Sequence, residues 1–157
     1  MSERAVSVPV NYTFSIVIVT LLLSGLVIVT TDNLQAQQER TIESDFDVLS
    51  NRMAADVTAA DHLAGSTGGT ESDVVAVRTE MPSRSADTGY LVHFNSTEID
   101  DGAYAVTIRM ESTSLGITKE TGLKTNTKVT NTTIVGGDYA IEYVGDGVPD
   151  ELEVRND

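Results

Sequence analysis

The chain has 157 residues, with 24 Asp and Glu against 10 Lys and Arg and a formal net charge of −14. Only Glu3 and Arg4 precede Asp32, so from there onward 23 acids oppose 9 bases, which all but excludes a phosphate-backbone ligand; no nucleic-acid partner is expected. Cysteine is absent, which removes disulfides, thiolate nucleophiles and Cys-ligated zinc or iron–sulfur centres. His62 and His93 are the only imidazoles and lie far apart in the sequence, so no catalytic residues and no cofactor are expected and the chain does not read as an enzyme.

The first element is apolar. Tyr12 to Val29 reads YTFSIVIVTLLLSGLVIV without a charge, and at 1.5 Å per residue it spans roughly 27 Å, near the thickness of a hydrocarbon core. This predicts a transmembrane helix over residues 6–31 of a single-pass protein, with Arg4 placing the N-terminus on the cytoplasmic side and the head outside the cell. Thr20, Ser24 and Gly25 are candidates for close helix packing.

Residues 32–65 continue as an amphipathic half-helix. Asp32 to Arg40 holds good helix formers with neither Pro nor Gly. Beyond it Ile42, Phe46, Leu49, Met53, Val57, Ala60 and Ala64 recur at intervals of three or four and make one apolar stripe. Glu43, Asp45, Asp47, Arg52, Asp56 and Asp61 lie between them as the expected wet face, and glycines from Gly65 to Gly69 form the stop.

Over residues 70–157 the period changes to two, which predicts a small β head. Candidate strands are Asp73–Thr79, Tyr90–Asn95, Tyr104–Met110, Lys128–Val135, Asp138–Val144 and Leu152–Arg155. Gly136-Gly137 reads as a two-residue hairpin and Asp100-Asp101-Gly102 as a turn, implying one antiparallel sheet. The Thr-rich stretch Glu111–Thr133 carries all the lysines, Lys119, Lys124 and Lys128, and is read as paired edge strands. A head of about 88 residues is marginal alone, so the sheet is expected to pack on the stripe. The predicted class is α+β.

Three motifs could carry chemistry. Asn95-Ser96-Thr97 and Asn131-Thr132-Thr133 are acceptor triplets for N-glycosylation, with ordinary Thr-rich strand ends as the bland reading. Asp146, Asp150 and Glu151 surround a Gly-Pro turn that resembles the end of a calcium loop; six to eight oxygens are needed and too few are supplied, so a solvated acidic turn is favoured and no metal is expected. His62 and His93 read as surface or rim residues.

An apolar helix running into an amphipathic half and then a small β head resembles a type IV pilin-like subunit. The leader adds to the likeness: Arg4-Ala5 followed by Val6-Ser7 is similar to the archaeal prepilin pattern, which implies cleavage between Ala5 and Val6 and a leader of residues 1–5. Three Lys against seven Arg, 20 Thr and strong acidity look like proteins of halophilic archaea. The resemblance implies a minor pilin or pilin-like protein of a cell-surface filament or pseudopilus. Its expected partners are other pilin-like subunits through the N-terminal helix, the membrane and a prepilin peptidase. The fifth residue after the cut is Val10, where many pilins carry Glu, which points away from a major subunit. A membrane-anchored ligand-binding or sensory head that does not assemble is the alternative.

Overall fold

The computed structural model describes residues 4–67, 76–99, 102–144 and 151–157, with the side chains of 4–11 and 27–33 left aside. The chain divides into two compact units, Met1–Gln38 and Glu39–Asp157. The division falls within helix α1 (Arg4–Thr67).

Among the described residues no helix is long and apolar enough to cross a membrane. The apolar run whose side chains are described, Tyr12 to Leu26, also carries Thr13, Ser15, Thr20 and Ser24. The transmembrane segment expected over residues 6–31 and the single-pass membrane placement built on it therefore do not hold.

In the second unit the stripe is the core of the fold. Ile42, Phe46, Leu49, Met53, Val57, Ala60 and Ala64 are all buried. They share one cluster with residues from two sheets, and the Phe46 ring meets Tyr90 edge-on at 5.6 Å. The spacing of three and four residues puts these side chains on one helical face, where burial of each large one contributes about 1.5–3 kcal/mol.

The expectation of a single antiparallel sheet is corrected, because the strands divide between two sheets. One contains β1 (Ala76–Thr79), β8 (Tyr139–Val144), β9 (Glu151–Asn156) and β6 (Lys128–Val129) in the order β1-β8-β9-β6. Within it β6 and β9 run parallel. The other has the order β2-β3-β4-β5, formed by β2 (Arg84–Ser85), β3 (Thr88–Glu98), β4 (Tyr104–Ser112) and β5 (Thr118–Thr125), with β7 (Thr132–Val135) also paired to β3. Tyr90, Val92 and Phe94 on β3 and Val106, Ile108 and Met110 on β4 alternate into the core; Tyr139, Ile141, Leu152 and Val154 do so from the other sheet.

The strand expected over Lys128–Val135 is broken at Thr130 and Asn131, so that β6 joins one sheet and β7 the other. Distant partners fix the break: Thr130 N–H donates to the Leu152 carbonyl at 2.9 Å, and the Thr130 hydroxyl donates to Glu151 Oε2 at 2.9 Å. Asn131 Oδ1 accepts from Ser96 N–H at 2.7 Å. For the same reason Gly136-Gly137 is not a hairpin turn, since β7 and β8 lie in different sheets. At Gly136 an added Cβ would stand 2.6 Å from the Tyr90 ring, while Gly136 N–H donates to the Tyr90 carbonyl at 2.8 Å. The chain crosses between sheets where only hydrogen fits. Asp73, Asp100 and Asp101, with Gly68 and Gly69, lie outside the described residues.

Candidate functional site

In the first unit, Tyr12, Phe14, Ile16, Val17, Ile18, Val19, Leu21, Leu22, Leu23 and Leu26 are all exposed, Tyr12 and Leu22 each by 69%. Successive residues of a helix point 100° apart, so this run is apolar on every side. A helix apolar all round is stable in water only when something encloses it, and an exposed apolar patch of such size marks an interaction surface.

Local geometry suits close packing there. The Thr20 hydroxyl donates to the Ile16 carbonyl and the Ser24 hydroxyl to the Thr20 carbonyl, each at 2.8 Å. Both polar side chains are thereby satisfied inside their own helix and can be enclosed without an orphaned donor. Thr20 and Ser24 stand one turn apart on one face, and nothing lies within 4 Å of a Cβ added at Gly25. Small residues at a contact let two helix axes approach to the short end of the usual 8–10 Å.

Elsewhere the sequence candidates are placed but not brought together. Ala5 and Val6 fall within α1 at positions whose side chains are not described. Asn95 is exposed on β3, opposite Thr107 of β4. Asn131 is exposed between β6 and β7, one step past the last β3–β7 pair, Phe94 with Thr132. Asp146 and Asp150 lie outside the described residues. Glu151 has both oxygens occupied, Oε1 by the Lys128 ammonium and Oε2 by the Thr130 hydroxyl. Those bonds hold its carboxyl below the ordinary range, the lysine being the larger cause. Among the described residues no three His, Asp or Glu stand close enough to hold a metal ion. His62 is exposed; His93 Nδ1 is paired with the Thr133 hydroxyl at 2.8 Å and its Nε2 lies 3.7 Å from Glu111. An open groove of about 590 Å³ beside α1 is lined by Arg40, Glu43, Ser44, Asp47, Thr118 and Lys119, with Lys119 paired to Asp47 at 2.7 Å.

The sequence did not reveal the polar fastening of α1 to the sheets. Asp45, Asp56 and Asp61 were expected on the wet face, yet Asp61 is only 5% exposed. Its carboxylate accepts from the backbone N–H groups of Asn126 and Thr127 between β5 and β6. Asp56 Oδ2 accepts from the hydroxyls of Thr79 at 2.9 Å and Tyr139 at 2.6 Å. Asp45 Oδ2 accepts from the Ser85 hydroxyl at 2.7 Å. Burial and then the bond to Asp56 push the Tyr139 phenol well above its ordinary range. Burial also lifts Tyr90 to about 12, opposed by a backbone hydrogen bond. No periodicity distinguishes these acids from solvated ones.

Residues 1–155 match a family of unknown function (DUF7266). The chain belongs to this family. The DUF7266 match takes in α1 and the strands of both sheets together, so the apolar helical run and the head are parts of one family unit. No curated protein and no solved structure matches the chain.

Proposed function

We propose that the chain is a structural subunit, a minor pilin or pilin-like protein of an archaeal type IV pilus-like filament or pseudopilus, whose apolar helical run is enclosed by the helices of neighbouring pilin-like subunits. The observation that carries this is the exposure of every large apolar side chain described between Tyr12 and Leu26, a surface that requires a cover. The satisfied hydroxyls of Thr20 and Ser24 and the open space at Gly25 support helices as that cover. The resemblance adds a prepilin peptidase as the processing partner, cutting between Ala5 and Val6.

Gly25→Leu tests the reading. Nothing within 4 Å opposes a side chain there in the single chain, and replacing a mid-helix glycine favours the helix by up to about 1 kcal/mol. The variant should therefore fold as well as the parent and fail where helices pack closely. Its recovery in sheared filaments should drop several-fold with the melting temperature of the head unchanged. Equal recovery of variant and parent would refute the proposal.

A further inference from the structure

Strand β5 ends the order β2-β3-β4-β5, and the direction of its free backbone groups can be read from the ladder. Ser112 N–H donates to the Ile117 carbonyl at 2.9 Å, in line with the pairing of Glu111 with Thr118 and Tyr104 with Thr125. Antiparallel pairs alternate between bonded and non-bonded. The backbone groups of Lys119, Thr121 and Leu123 therefore face β4, and those of Thr118, Glu120, Gly122 and Lys124 face outward. Among the described residues these four make no hydrogen bond on their outer side. The opposite end of the sheet is different, because the Asn156 side chain bonds both the N–H and the carbonyl of Val135 on β7.

We infer that β5 is a self-pairing edge, joining antiparallel to β5 of a second copy about a two-fold axis through Gly122. Outward residues pair only with outward residues, so few registers are open. Centred on Thr121, Lys124 would meet Thr118 and Glu120 would meet Gly122. Centred on Leu123, Glu120 would meet Asn126 and Lys124 would meet Gly122, which again leaves both charges without an opposite partner. Centred on Gly122, Glu120 lies opposite Lys124 of the second copy and Lys124 opposite its Glu120. Opposite charges then face each other on both sides of the axis. Both side chains are exposed on the outer face, and among the described residues neither has an ion-pair partner. Glu120 stands across the ladder from Arg109, but Arg109 donates to Glu111 instead. Lysine on an edge strand ordinarily discourages pairing; in this register alone each lysine is neutralised. On the inner face Thr121 would meet Leu123, continuing the sheet across both copies.

The contact is separate from the bundling of apolar helices. The chain has no cysteine, so Gly122→Cys in the full chain places a single thiol on the proposed axis. Bonded antiparallel partners are about 5.5 Å apart at Cα, within the roughly 4.4–6.8 Å that a disulfide spans. Oxidation should yield covalent dimers. Thr118→Cys, equally exposed, has its counterpart roughly 27 Å away along the strand and should yield at least tenfold less. Adding Glu120→Lys to Gly122→Cys should reduce the crosslink roughly tenfold, and adding Lys124→Glu as well should restore it. Crosslinking from Thr118→Cys equal to that from Gly122→Cys would overturn the inference. So would indifference to the charge reversals, or no dimer from a thiol that a maleimide still labels. Gly25→Leu should leave the crosslink intact; its loss in that variant would show crowding by the helices rather than strand pairing, and would also overturn the inference.

Discussion

Phe46→Ala is the sharpest probe of how the second unit is held together. Phe46 is fully buried on α1 and meets Tyr90 of β3 at 5.6 Å between ring centroids, with 60° between planes. Truncating a buried Phe typically costs about 3–5 kcal/mol, of which an edge-on aromatic contact accounts for about 0.5–1.5. Against a usual domain stability of about 5–15 kcal/mol this is from about a fifth to the whole. At about 4 °C per kcal/mol the melting temperature should fall on the order of 12–20 °C. Phe46→Leu keeps most of the volume and loses the ring contact, so it should cost only about 1–1.5 kcal/mol. Val48→Ala, two residues along the same helix at a side chain 66% exposed, should change stability by no more than about 0.5 kcal/mol. Urea unfolding followed by near-ultraviolet circular dichroism measures all three, the tyrosines serving as reporters in a chain without Trp. If Phe46→Ala unfolded at the urea concentration of Val48→Ala, α1 would not be part of the core and the packing described above would be wrong.

Three further outcomes are expected. Gly136→Ala should destabilise by about 1–3 kcal/mol in the same assay, since its Cβ would stand 2.6 Å from the Tyr90 ring; Gly89→Ala, whose nearest neighbour would be 3.5 Å away, should cost clearly less. Melting temperature should rise with salt up to the molar range, because 24 acids against 10 bases repel one another and a Debye length of about 3 Å at 1 M screens that repulsion; a melt indifferent to salt would count against it. Tyr90 and Tyr139 hold their protons more tightly when folded than the ordinary value of 10.0, so their contribution is complete below about pH 10 and is lost as pH rises through the folded values. Phenolate absorbance for these two should therefore appear together with unfolding, and ionisation of both near pH 10 in a folded chain would contradict their burial.

What the sequence disclosed depended on how local the deciding forces are. The α1 stripe from Ile42 to Ala64 was legible because one helical period sorts apolar from polar without reference to anything distant. The alternation of Tyr104, Val106, Ile108 and Met110 likewise marked β4 by itself. The division into two sheets was not legible, because Lys128–Val135 reads as one alternating strand and is broken by Leu152, Glu151 and Ser96, partners far away in the sequence. Gly136-Gly137 has the composition of a hairpin turn, and only the Tyr90 ring above it shows that it serves a crossing instead. The apolar run from Tyr12 was visible as apolar, but hydropathy alone overstated it as a membrane span. Asp61 looked no different from Asp47, although one is buried on backbone amides and the other pairs with a surface lysine.

The fastening of α1 by Asp45, Asp56 and Asp61 has a consequence for the waters in which such a chain can work. Each of these carboxylates is held by hydroxyls or backbone amides, with no lysine or arginine in the bond. A joint made of ion pairs weakens as dissolved ions crowd around each partner, whereas short hydrogen bonds from neutral donors to a half-buried or buried carboxylate leave little for screening to act on. Brine therefore relieves the mutual repulsion of the acidic surface while these three fastenings between helix and sheets keep their strength. Dilution brings the repulsion back without tightening those fastenings. The two responses do not cancel, and the balance tilts toward the folded form as salinity climbs.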